Sequence, residues 1–285
     1  MQLNGLDRTS SAGCSSYSEL DDFFGVWRIR KMIKKWARKG IRLFLGYDVR
    51  RVQGRPPEMS QEEWQLIEDV IRQELTMVSR ERLCSTLLAA KFVVTANIEG
   101  AFVECGVWRG GNSIVASRIF QMHNQLNRWV YLYDTFAGMT QPKDMDYQLR
   151  DGMRAKLQFE QNQVGETNLW SNASVEEVRK NFNNFGLDVG GTIRLIKGDI
   201  LSTLKDESNL PEKISVLRLD TDWYESTMYE LEVLFPRLSQ GGILIIDDYG
   251  DWAGAKKAVD EYFLRAPRKV FFQPIDYTGR IGVKV

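Results

Sequence analysis

The sequence predicts an α/β protein with a seven-stranded, mostly parallel sheet, an antiparallel hairpin at its C-terminal edge and a helical extension ahead of it. Three observations predict this. From Ala101 onward short apolar runs alternate with helix-length stretches, a pattern that requires a parallel sheet covered on both faces. The last two apolar runs are joined by a short connection around Asp276 to Arg280, as in an antiparallel pair. A chain of 285 residues, 43% apolar and 11% aromatic, can bury one large core plus an extension.

Taken in order, residues 1–22 are rich in Ser, Gly and Asp, have no period and read as a mobile tail. From Phe23 to about Leu45, Ile33, Trp36, Ala37, Ile41, Phe44 and Leu45 recur at helical spacing among Arg28, Arg30, Lys31, Lys34, Lys35, Arg38, Lys39 and Arg42. Such a basic amphipathic segment either touches a membrane surface or anionic partner, or packs on its own or a neighbouring subunit with solvated lysines. The second reading is favoured, and a homodimer is expected. After the break at Arg55-Pro56-Pro57, Ser60-Gln61-Glu62-Glu63 is a capping box opening a helix through Trp64, Ile67 and Ile71. A second helix carries Leu83, Leu87 and Leu88. Residues 23–100 thus read as a helical extension and 101–285 as the catalytic domain.

In that domain the expected strands are Phe102 to Cys105, Trp129 to Tyr133, Thr192 to Ile196, Ile214 to Leu219, Gly242 to Ile246, Lys269 to Gln273 and Ile281 to Val285. Ser174 and Glu177 form a further capping box. The polar stretch 138–170, with Met139, Met145, Tyr147, Met153 and Phe159 scattered through it, is longer than an ordinary loop and reads as a lid or substrate-facing segment.

Lysine plus arginine (38) balances aspartate plus glutamate (38), which gives no argument for nucleic acid. Cys14, Cys84 and Cys105 lack CxxC spacing, and the start does not resemble a signal peptide, so a reducing cytoplasm is expected. No run approaches the roughly 18 apolar residues of a membrane span. The single histidine, His123, reads as a surface residue, which excludes a His-rich zinc site.

The first strand runs through Glu104-Cys105-Gly106 into Val107-Trp108-Arg109-Gly110-Gly111-Asn112-Ser113 and then a helix, the layout of a nucleotide-type site. The glycine spacing is GxxxGG, not GxGxxG or a P-loop, which disfavours a pyrophosphate. Glu104 suits a cationic sulfonium or amino group, favouring S-adenosylmethionine over NAD. Arg109 belongs to the same turn. Asp134 ends the second strand, where an acid can bind both ribose hydroxyls; the alternative is a cap on the turn Thr135-Phe136-Ala137-Gly138. Gly198-Asp199 ends the third strand, beside an adenine edge.

The fourth strand delivers Asp220 and Asp222 and the fifth Asp247 and Asp248, all at carboxyl ends, where ligands of open α/β sheets bind. Four such acids repel one another by several kcal/mol unless protonated or bridged, so a divalent cation is expected, Mg²⁺ or Ca²⁺ with Mn²⁺ also admitted by oxygen donors. One or more of the four is expected to cap a following helix instead.

VECGVWRGGNS, YDTFAGM, KGD, LRLDTDWYEST and GGILIIDDYGDWAGAKKAVDEYF, in this order, resemble the macrocin O-methyltransferase (TylF) family, over roughly Glu74 to Phe263. Residues before Glu58 match no part of that pattern. The resemblance implies a Rossmann-like methyltransferase sheet and Mg²⁺-dependent methyl transfer from S-adenosylmethionine to a hydroxyl of a small molecule, a sugar of a glycosylated natural product. It implies that Glu104, Gly106, Gly110, Ser113, Asp134, Gly198 and Asp199 contact the donor, with Thr76 and Met77 in a segment closing over it. Asp220, Asp247 and Asp248 would hold the metal. A sugar hydroxyl needs help to lose its proton, and Asp222 or a free oxygen of Asp220 is the base, Asp222 being favoured because a metal-bound carboxylate is less basic. Two other readings compete: an NAD(P)-dependent oxidoreductase, for which no catalytic Tyr-Lys or His is visible, and a non-catalytic membrane or partner-binding module.

Overall fold

The structure, a computed structural model, describes residues 54–165, 167–266 and 270–285. The expected tail, the basic segment from Phe23 to Leu45, Cys14 and Lys269 lie outside them. Pro57–Val285 forms one compact unit.

Seven strands make one sheet: β1 (Ala101–Cys105), β2 (Val130–Asp134), β3 (Ile193–Lys197), β4 (Ile214–Leu219), β5 (Leu238–Ile246), β6 (Val270–Pro274) and β7 (Arg280–Lys284), in the spatial order β3-β2-β1-β4-β5-β7-β6. The first five are parallel; β7 runs antiparallel to β5 and to β6. The hairpin therefore sits at the sheet edge, and the α/β expectation holds strand by strand.

Side-chain alternation feeds two cores. Phe102, Leu132, Val216 and Ile245 point to one face, where they meet Ile67, Leu83, Leu87, Ile114 and Ile119 of helices α1 (Gln61–Arg72), α2 (Arg80–Thr95) and α3 (Gly111–Met122). Val103, Tyr133, Leu217, Leu219 and Ile246 point to the other, against Leu231, Leu234 and Val259 of α7 (Tyr224–Leu234) and α8 (Ala253–Arg265). Each such leucine or isoleucine contributes about 1.5–3 kcal/mol of burial. Helices α1 and α2, expected within an extension over 23–100, share the core of the sheet. The Ser60–Glu63 capping box at α1 is complete, with Glu63 N donating to Ser60 Oγ at 3.1 Å and Ser60 N to Glu63 Oε2 at 2.6 Å.

The segment 138–170 carries α4 (Ala155–Gln161) and a two-residue ladder, Gln163–Val164 with Thr167–Asn168. It is tethered at its base. Leu149 N donates to Asp251 O at 2.7 Å and Ala253 N to Tyr147 O at 2.9 Å. Buried Asp146 accepts from Tyr224 N at 3.0 Å, holding the segment to the first residue of α7. Helices α5 (Val175–Asn184) and α6 (Ile200–Thr203) complete the described set. At α5 the expected capping box is half made. Ser174 Oγ accepts from Glu177 N at 3.1 Å, but the Glu177 carboxylate pairs with Arg109 at 2.8 Å instead of turning back. His123 sits at the C-terminal cap of α3. Among the described residues no helix is long and apolar enough to cross a membrane.

Candidate active site

A cleft of about 310 Å³ opens outside the carboxyl ends of β1, β2, β4 and β5, the place an open parallel sheet reserves for ligands. Its two ends are built differently.

At one end the backbone shapes the cleft. Gly106 follows β1 at φ +83°, and a Cβ there would stand 1.9 Å from the Asp220 carbonyl oxygen, so only glycine lets β1 and β4 meet this closely. Asp134 Oδ2 accepts from Val107 N at 2.7 Å and Trp108 N at 3.0 Å, while its Oδ1 accepts from Phe136 N at 2.7 Å. It thus braces both turns, including the one that was the alternative to ribose binding, and still lines the cleft. Burial pushes its carboxyl up, opposed by these hydrogen bonds. Gly111 N donates to Leu75 O at 2.9 Å, which seats the Leu75–Val78 segment over the glycine-rich turn.

Of the residues expected at the donor, Thr76, Met77, Glu104, Gly106, Asp134 and Gly198 line the cleft. Four others do not line it. Gly110 caps α3 at φ +91°. Asp199 caps α6, accepting from Leu201 N at 2.9 Å. Arg109 lies 4.8 Å over the Trp108 ring and pairs with Glu177. Ser113 is buried and donates its hydroxyl to Glu104 Oε2. Glu104 is 1% exposed, and its Oε1 accepts from Arg218 Nη1 at 2.8 Å. Burial pushes its carboxyl up to about 7 against the pull of Arg218.

At the other end charged side chains shape it. Asp220, Asp222 and Asp248 bring carboxylate oxygens within 4.8 Å of one another. Asp247, expected in that trio, lines the same cleft, but both its oxygens are engaged by arginine: its Oδ1 accepts from Arg218 Nη2 and its Oδ2 from Arg82 Nη1. The structure gathers Asp222 in its place. Asp222 adopts φ +66°, a conformation costing a non-glycine residue on the order of 1–3 kcal/mol. Its N–H donates to Asp248 Oδ2 at 3.2 Å. Burial, then the Asp220 charge, pushes the Asp222 carboxyl up; burial, then Asp222, does the same to Asp248. Three oxygen-only donors, half-buried to buried, that repel one another fit a hard divalent cation.

Beside the acids stands an aromatic wall. Trp223 packs edge to face against Trp170 and Trp252, with centroids 5.5 and 5.1 Å away, and Trp170 and Trp252 meet at a tilt, 5.8 Å apart. Trp223 Nε1 donates to Thr140 O at 3.0 Å. Trp170, Trp252, Gln148 and Asp251 line the cleft here, and Gln148 Oε1 is buried without a hydrogen bond. None of these, nor Arg82 and Arg218, was anticipated. Two signals were available: an arginine in the middle of the apolar run SVLRLD, and an Asp-Trp pair following each acid motif, Asp222-Trp223 and Asp251-Trp252.

The family model for macrocin O-methyltransferase (TylF) matches residues 25–282. The likeness is thus longer than Glu74 to Phe263 and takes in most of the basic segment, which was expected to fall outside it. The demethyldecarbamoylnovobiocin O-methyltransferase of Streptomyces niveus is 35% identical over 187 residues, 66% of this chain and 67% of that one. The 8-demethyl-8-(2,3-dimethoxy-alpha-L-rhamnosyl)-tetracenomycin-C 4'-O-methyltransferase of Streptomyces olivaceus is 36% identical over 204 residues, 72% and 73% of the two chains. The solved O-methyltransferase NovP superposes with a TM-score of 0.62 at 32% identity, covering 74% of this chain and 82% of its own. The calicheamicin methyltransferase CalS11, at 16% identity and TM-score 0.53 over 82% and 99%, shares the fold. The nicotinamide and non-catalytic readings fall with these matches: the chain belongs to the macrocin O-methyltransferase (TylF) family and is an S-adenosylmethionine-dependent O-methyltransferase.

Proposed function

We propose that this chain methylates a sugar hydroxyl of a glycosylated natural product and that the reaction depends on Mg²⁺. The observation that carries the reading is the convergence of Asp220, Asp222 and Asp248 beside the donor turn. The Streptomyces olivaceus relative, named for a rhamnosyl 4'-O-methylation, and the novobiocin relative support the acceptor class. The aromatic wall offers apolar faces for sugar C–H groups, with Gln148 and Asp251 as polar contacts.

Glu104, Gly106, Asp134 and Gly198 hold the donor, Thr76 and Met77 cover it, and Arg109, Gly110, Ser113 and Asp199 support those contacts from behind. Asp220, Asp248 and Asp222 or Asp247 hold the cation. A bound Mg²⁺ would acidify the acceptor hydroxyl and fix its oxygen. The remaining proton goes to a carboxylate, Asp222 or a free oxygen of Asp220. Asp222 is favoured, because its strained backbone aims it into the cleft mouth beside Asp248 and burial has already raised its basicity. A homodimer in the cytoplasm, with no nucleic-acid partner, completes the proposal, and light scattering tests the dimer.

The deciding experiment incubates purified protein with labelled S-adenosylmethionine and a panel of rhamnosylated and otherwise glycosylated aglycones, aglycones alone and simple phenols. Transfer confined to glycosides, lost in EDTA and restored by Mg²⁺, is expected. Full activity in EDTA sinks the metal, and transfer to bare aglycones sinks the sugar.

A further inference from the structure

Arg218 stands in the middle of β4 and is 1% exposed, the largest fully buried side chain described. A buried guanidinium survives only if its donors are paired. Arg218 Nη1 donates to Glu104 Oε1 at 2.8 Å and to Asp220 Oδ2 at 2.7 Å, and its Nη2 donates to Asp247 Oδ1. One nitrogen thus joins the donor side of the cleft to the acid side.

Arg82 extends the arrangement. Its Nη1 holds the second oxygen of Asp247, and its Nε lies 3.0 Å from Asp276 Oδ2, which also accepts from the Ser79 hydroxyl at 2.6 Å. Asp276 in turn closes the β6–β7 connection by accepting from Gly279 N at 2.8 Å. The contacts of the two arginines end at Asp220 and Asp247. Asp222 and Asp248 lie beyond them, with oxygens close to those of Asp220.

We propose that Arg218, seconded by Arg82, is a positioning residue: a built-in cation that compensates Asp220 and Asp247, holds them in place at the metal end and ties them to Glu104 at the donor end. The inference rests on the reading of the acid cluster as a divalent-cation site. The physical case is one of substitution. Removing one partner of a buried ion pair leaves an uncompensated charge, which is far more destabilising than the intact pair is stabilising. A mobile divalent ion at Asp220, Asp222 and Asp248 lies close enough to compensate the same carboxylates. Without Arg218, therefore, a divalent ion becomes a requirement of the fold, where in the native chain it is a requirement of the chemistry alone. The charge of the side chain matters here more than its bulk, so lysine should substitute in part, short of the bidentate reach of the guanidinium.

The test is thermal unfolding of the full chain in excess EDTA, in saturating Mg²⁺ and in KCl of equal ionic strength, with Mg²⁺ binding measured by calorimetry in parallel. For Arg218→Met the Mg²⁺-induced rise in Tm is expected to exceed that of the native chain by at least about 4 °C, with none of the excess reproduced by KCl. Arg218→Lys should fall between the two. Arg82→Gln, less buried, should show a smaller excess in the same direction, and it decides the matter if Arg218→Met stays unfolded in every buffer. An Mg²⁺ increment in the deciding variant no larger than the native one, while the native chain binds Mg²⁺, overturns the role of the arginines. A native chain that binds no Mg²⁺ overturns the cation reading itself, a different result seen in the calorimeter.

Discussion

The donor end and the acid end of the cleft open on the same sheet edge, yet one is made by backbone and the other by charge. At the donor end Gly106 lets two strands touch and Asp134 ties down two turns through main-chain N–H groups. At the acid end the chain contributes four carboxylates, Asp220, Asp222, Asp247 and Asp248, and two arginines that reach only two of them. A backbone site depends on conformation and tolerates little change of shape. A charged site depends on compensation and tolerates little change of charge.

The largest test of this contrast is Asp222→Asn, nearly isosteric but uncharged. A fall in kcat of about 10²–10⁴ is expected, with adenosylhomocysteine affinity within about twofold of native. Weakened donor binding in calorimetry would show the two ends are not separable. Gly106→Ala should damage both, because its Cβ collides with the Asp220 carbonyl and its φ is positive. A loss of more than about 3 kcal/mol in urea unfolding is expected, and native stability would contradict the close approach of β1 and β4.

Asp146→Ala removes the acceptor for Tyr224 N and frees the segment 138–170 from α7. The acceptor KM should rise about tenfold, while donor KM stays put; a donor effect of equal size would place the segment over the wrong end. The last test is a pH profile. Glu230 is buried, with Thr221 Oγ1 donating to its Oε1 at 2.9 Å, and burial pushes its carboxyl up to about 8. The folded chain therefore keeps a proton here that the unfolded chain releases near pH ~4–5. Stability from the neutral carboxyl is full below that, declines by about 1.4 kcal/mol per pH unit as pH rises toward 8, and is lost above it. Glu230→Gln keeps the acceptor and drops the titration. Its unfolding free energy should gain on the native chain between about pH 5 and pH 8 and level off beyond, and parallel profiles would refute the shift.

The same contrast explains what could be read in advance. Glycine spacing, strand alternation and helix caps are local, so β1 to β4 and the Ser60 box were visible from neighbouring residues. β5 begins at Leu238, not Gly242, because Gly241-Gly242 reads as a turn yet forms an irregularity where the register with β4 shifts. The side-chain partners of Glu177 and Asp247 were hidden for one reason: Arg109 for the first and Arg82 and Arg218 for the second are distant in sequence. Sequence showed that four acids needed a cation. It could not show that two of the protein's own cations, Arg82 and Arg218, also reach Asp247.

The three stacked indoles have an optical consequence. Trp170, Trp223 and Trp252 sit within 5.1–5.8 Å of one another at the cleft wall, close enough to exchange excitation, and carboxylates with changeable charge lie beside them. Their emission should shift and quench as an acceptor displaces water from the wall, whereas donor binding at the far end should leave it nearly still. The enzyme then carries its own fluorescent gauge of acceptor occupancy, and unlabelled glycosides can be ranked by titration before any turnover is measured.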